Sequence, residues 1–99
     1  MTIKLGYALD RIESLELDEV VFAKRPWTLE TESEIGRLDD DNGVPPSVSN
    51  RGFDYFIDVP TALEVLEVLS TRDATPSDKR ELLLHYGEFD AYPSWVYSK

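Results

Sequence analysis

Phe53-Asp54-Tyr55-Phe56-Ile57-Asp58-Val59-Pro60-Thr61-Ala62-Leu63-Glu64-Val65-Leu66-Glu67-Val68-Leu69 is the stretch that decides the fold. Its first seven residues alternate. Phe53, Tyr55, Ile57 and Val59 fall on one face, and Asp54, Phe56 and Asp58 on the other, which is the period of a strand. Pro60 cannot donate to a ladder, but it suits the first turn of a helix, where an N–H would go unbonded anyway. From Pro60 to Leu69 the period becomes helical, and only Thr61, Glu64 and Glu67 make a polar stripe. A helix so apolar is expected to lie across a sheet, mostly buried. A strand that feeds a buried helix needs both sheet partners and helix partners, so the class is α+β.

Upstream, Asp39-Asp40-Asp41-Asn42-Gly43-Val44-Pro45-Pro46 is turn chemistry throughout, and Pro46 to Gly52 holds a short helical turn that Gly52 stops. Ser33-Glu34-Ile35-Gly36-Arg37-Leu38 and Glu19-Val20-Val21-Phe22-Ala23-Lys24 are expected strands, the second rich in β-branched and aromatic residues and halted by Pro26. Before them, Thr2 is placed to cap a helix over Ile3 to Ser14, with Leu5, Leu9 and Ile12 as its apolar stripe. Gly6 weakens it by about 1 kcal/mol relative to Ala.

Downstream, Thr75-Pro76-Ser77-Asp78 combines a capping Thr, a Pro at the first helical position and an acid at the third. Leu82, Leu83, Tyr86 and Phe89 then share a face, and Gly87 is expected to end the helix. The aromatic tail Asp90 to Tyr97 is expected to fold back on the core. The order is helix, strand, strand, strand, helix, helix. Short connections favour a three-stranded antiparallel sheet with helices packed on one face, in one domain over residues 1–99.

The chain has no cysteine, which excludes disulfides, zinc–thiolate sites and thiol nucleophiles. The simplest compartment is a reducing cytoplasm. Met1 to Asp10 holds no apolar run of signal-peptide length, and nothing approaches the roughly 20 apolar residues of a membrane span. Net charge is −10, and ten of the 20 acids lie between Glu13 and Asp41, offset there only by Lys24, Arg25 and Arg37. Such a field repels nucleic acid and anionic lipid and attracts basic surfaces. Acidity that serves only solubility is the competing explanation.

Candidate chemistry is sparse. Asp39 to Gly43 resembles a calcium loop, but with Gly43 as sixth residue Leu38 falls first and no Glu stands near the twelfth, so no metal site is expected. Gly6, Gly36, Gly43, Gly52 and Gly87 are scattered, so no phosphate loop and no cofactor are expected. His85, with Glu81 or Tyr86, is the only candidate general base, and no nucleophile or oxyanion site accompanies it. No catalytic residue is therefore assigned, and a small hydrolase using His85 stands as an alternative. Lys24-Arg25-Pro26-Trp27 is the most unusual local feature, since Trp and Arg favour protein interfaces. The competing account folds Trp27 over the sheet edge, with Lys24 and Arg25 balancing nearby acids.

Val21-Phe22-Ala23-Lys24-Arg25-Pro26-Trp27 and Tyr86-Gly87-Glu88-Phe89-Asp90-Ala91-Tyr92-Pro93-Ser94-Trp95-Val96 together resemble a group of small acidic bacterial proteins of unassigned function. In size and charge the chain is also similar to the immunity proteins that neutralise bacterial toxins. That resemblance implies a non-enzymatic inhibitor whose acidic surface covers a basic protein, such as a cognate nuclease toxin. The expected contacts are Trp27, Glu30, Glu32, Glu34, Asp39, Asp40 and Asp41. The alternative is a general interaction or adaptor module, homodimeric through an exposed strand edge.

Overall fold

The structure, a computed structural model, describes residues 2–97. The chain runs β1 (Ile3–Lys4), α1 (Leu5–Asp10), a 3-10 turn at Ile12–Ser14, β2 (Val20–Lys24), β3 (Glu32–Gly36), α2 (Pro46–Ser49) and β4 (Phe53–Asp58). It continues with α3 (Val59–Leu66), a 3-10 turn at Glu67–Leu69, α4 (Pro76–Phe89) and a last 3-10 turn at Ser94–Tyr97. The class is α+β, but the sheet has four antiparallel strands rather than three, in the order β1-β3-β2-β4.

The additional strand is β1, which pairs Ile3 with Ser33 and Lys4 with Glu32. Two residues carry no readable period, so the start of the chain looks wholly helical. Thr2 does not cap α1. Lys4 occupies that position without a side-chain bond, and the N–H groups of Leu5 and Gly6 donate instead to the carbonyls of Thr31 and Leu29. The expected helix over Ile3 to Ser14 is therefore a strand, a six-residue helix and a 3-10 turn. Its stripe still holds, because Leu5, Leu9 and Ile12 are all buried.

The alternation expected in β4 is broken by a bulge. Val21 faces Ile57, but the next residue, Phe22, faces Tyr55, so Phe56 is the inserted residue. Residues opposite one another share a face. Phe53 and Tyr55 therefore lie with Val20 and Phe22, while Phe56 and Ile57 both reach the side of Val21 and Ala23. The helices divide accordingly. The principal core joins Val21, Ala23, Phe56 and Ile57 to Leu5, Leu9, Val65 and Leu82 from α1, α3 and α4. A smaller cluster of Val20, Phe22, Val48 and Phe53 sits under α2 and its flanking loop on the opposite face. The sheet thus has helix on both faces, not one. The short turn of Pro46–Ser49 had to cover Phe22 and Phe53, which the helix layer cannot reach.

Local chemistry sets the helix ends. Asp58 caps α3, accepting the Thr61 N–H at 2.7 Å. Thr75 and Asp78 form the expected reciprocal capping box of α4, at 3.1 and 3.0 Å. Gly87 does not end α4, which continues through Phe89 and closes on Asp90 in the left-handed conformation, φ 54°. Gly87 is instead where the helix meets Phe56. A Cβ there would stand 2.3 Å from the ring's Cζ, so only a residue without one admits this approach. Phe89, expected on the buried face, is 61% exposed, with its ring 4.7 Å from that of His85. The tail does return to the core: Val96 is buried, and the Arg72 guanidinium donates to the carbonyls of Trp95 and Val96. No helix among the described residues is long and apolar enough to cross a membrane.

Candidate functional site

The acids expected to form a docking surface are largely engaged within the molecule. Glu30 pairs with Lys4 at 2.8 Å and Glu32 with Lys24 at 2.7 Å. Glu34 accepts two bonds from the Arg51 guanidinium, at 2.7 and 2.8 Å. The Arg51 bonds hold the Glu34 carboxyl below the usual carboxylate range, and Lys4 does the same for Glu30. Asp39 folds its own turn, its Oδ1 accepting the N–H of Asp41 at 3.0 Å and of Gly43 at 2.8 Å. Of these six acids, only Asp40 and Asp41 make no side-chain bond or ion pair among the described residues. Trp27 is not with these acids. Glu32 and Glu34 project on the face of Phe22, whereas Trp27 packs with the principal core.

His85 is held by the chain's own tail. Its Nδ1 lies 3.0 Å from the Ala91 carbonyl, which can only accept, so Nδ1 carries the proton and donates. Among the described residues Glu81 makes no hydrogen bond or ion pair with it. Among the described residues no group of three or more His, Asp or Glu is placed to hold a metal ion.

Trp27 leads to a different site. Its indole N–H donates to the Ala23 carbonyl at 3.3 Å, and its ring meets Phe56 edge-on at 4.9 Å. The Arg25 guanidinium lies 3.8 Å over the ring and bonds Asp54 at 3.2 Å. These contacts fold Trp27 against the sheet edge and leave it part-exposed, at the mouth of a cleft of about 490 Å³. Tyr55, Phe56, Tyr86, Glu88 and Asp90 complete the walls. The cleft is larger than the 400 Å³ depression between α3 and Lys79, which lacks aromatic walls.

The cleft's polar groups are fixed by its own elements. The Tyr55 hydroxyl donates to Asp58 Oδ2 at 2.7 Å, and burial together with that bond pushes the phenol up to about 12. Burial alone would raise Asp58, but the bonds from Thr61 and Tyr55 outweigh it and leave the carboxyl below its ordinary value. Burial and then the nearby charge of Asp90 raise Tyr86. Glu88 and Asp90 are exposed and make no side-chain bond or ion pair among the described residues. They are the free charges of the site, and the sequence carries a signal for them: no Lys or Arg stands between Glu81 and Tyr97. The placement of Phe56 and Ile57 on one side has no such signal, because it follows from the bulge.

No protein-family model, curated protein or solved structure matches this chain.

Proposed function

We propose that this is a non-enzymatic binding protein of the immunity or inhibitor type, which docks a basic protein at the Trp27–Tyr55–Tyr86 cleft. One observation carries the proposal: aromatic walls with an unpaired acidic rim, in a molecule where three of the six other candidate acids are matched by Lys or Arg and a fourth, Asp39, is bound into its own turn. Aromatic walls and unpaired carboxylates together suit Lys or Arg side chains, through cation–π contact and charge. A toxin with a positive substrate groove, such as a nuclease, is the partner class with the required surface. Acids paired to neighbouring bases add little to a long-range field, whereas Glu88 and Asp90 act on an approaching cation in full.

The test is a low-salt capture from the native lysate, followed by kinetics with the basic protein recovered. Neutralising Glu88 and Asp90 (Glu88→Gln with Asp90→Asn) slows association and flattens its salt dependence. Neutralising Glu30 and Glu32 changes both much less. If the Glu88/Asp90 variant associates at the parent rate at every salt concentration, the cleft is not the docking site.

A further inference from the structure

β4 is the terminal strand of the sheet, paired on one side only. Among the described residues no backbone hydrogen bond joins Phe53–Ile57 to any segment other than β2. A five-residue row of strand backbone is therefore left with one free side, whereas the opposite edge, β1, offers only two residues. Unpaired strand edges are templates for another strand unless something covers them.

The cleft shows that this edge is open. Tyr55 belongs to the face of Phe22, and Ile57 to the face of Val21, yet both line the same cavity. A cavity walled by residues from opposite faces of one terminal strand must run across that strand's edge. The bulge at Phe56 makes the opening by bringing Phe56 and Ile57 onto one side.

Charge selects the occupant. Asp54 is exposed on the strand and bonded to Arg25 of the cleft wall, and Glu88 at the end of α4 and Asp90 just past it line the same cleft. The one base in the cleft wall, Arg25, is already tied to Asp54. A second copy of the chain fits poorly. Antiparallel pairing of two β4 strands centred on Phe56 sets Asp54 against Asp58 twice, between molecules of net charge −10. We infer that the partner supplies an extended, Lys- or Arg-bearing segment that adds to β4 as a fifth strand, across the mouth of the aromatic cleft. The inference rests on the proposed cleft and specifies how it is used. Main-chain bonds to β4 give affinity. Alternate side chains point one way toward Glu88 and Asp90 and the other way toward Tyr55.

The experiment uses the full chain, isotope-labelled, titrated with the blocked peptide acetyl-Lys-Val-Lys-Val-Lys-Val-Lys-amide. The control peptide has each Val replaced by Pro, which keeps the charge and removes strand donors. The expected result is a shift of the β4 amides, with exchange at Tyr55 and Phe56 slowed, and binding about tenfold tighter than the Pro peptide, the effect of about two net hydrogen bonds. Equal binding of both peptides at Glu88 and Asp90, with β4 exchange unchanged, overturns strand addition and leaves the acidic cleft standing. Shifts confined to other surfaces, or no binding by the Lys-Val peptide, also overturn it. The cleft itself is then judged by the association rates of the Glu88/Asp90 variant.

Discussion

Replacing Gly87 with Ala puts a methyl carbon 2.3 Å from Phe56 Cζ and 2.6 and 2.7 Å from its two Cε atoms. Carbon atoms in contact stand about 3.5–4.0 Å apart, so the ring must withdraw by more than about 1 Å. Phe56 has little freedom to do so, being 3% exposed with its ring already against Trp27. Overpacking of this kind costs about 1–3 kcal/mol. The helix gains about 0.8–1.0 kcal/mol from Ala over Gly, which offsets part of the cost. The net expectation is a loss of up to about 2 kcal/mol, or a fall in melting temperature of up to about 15 °C for a chain of this size. Denaturant unfolding followed by circular dichroism measures it. Phe56→Leu removes the offending ring atoms, so in the Gly87→Ala background it costs less than in the parent, with a coupling of about 1 kcal/mol or more. A Gly87→Ala variant more stable than the parent would refute the close contact and return Gly87 to a simple propensity defect.

Other perturbations test the elements that frame the cleft. Asp58→Ala removes the α3 cap and the Tyr55 partner and costs about 1 kcal/mol at neutral pH, measured by denaturant midpoint. The Asp58 carboxyl is depressed in the folded protein from 3.8. Its contribution is therefore complete above that value and is lost as pH falls through the lower folded pKa. The gap between parent and Asp58→Ala should close on acidification below 3.8, and a gap unchanged down to the acid transition would contradict the assigned bonds. Thr75→Ala breaks the α4 capping box and costs about 1 kcal/mol, whereas Thr75→Ser stays within a few tenths. Hydrogen exchange in the first turn of α4 reports the difference, and equal protection in the two variants would count against the cap.

Legibility followed the range of the interactions. The Thr75 box, the α4 face at Leu82 and Leu83 and the α1 stripe at Leu5, Leu9 and Ile12 rest on contacts a few residues apart, and each is present as its spacing suggests. The candidate site was less legible. Lys24-Arg25-Pro26-Trp27 marks Trp27 in the sequence, but its cleft neighbours Tyr55, Tyr86, Glu88 and Asp90 come from β4, α4 and the residue that closes α4, far along the chain. The run Glu30 to Asp41 looked like a patch because its acids are close in sequence. In the fold, Lys4, Lys24 and Arg51 arrive from other strands and loops and pair with three of them.

By itself, then, the sequence determined the α+β class, the positions of β2, β3 and β4, the N-terminal cap of α4 and the absence of thiol chemistry, because composition, period and capping are local properties. Only the tertiary structure decided that Ile3–Lys4 is a fourth strand, that Gly87 lies under Phe56, and which carboxylates remain free. A two-residue strand has no period, and a bulge or an ion pair between distant residues exists only once the sheet has brought the strands together.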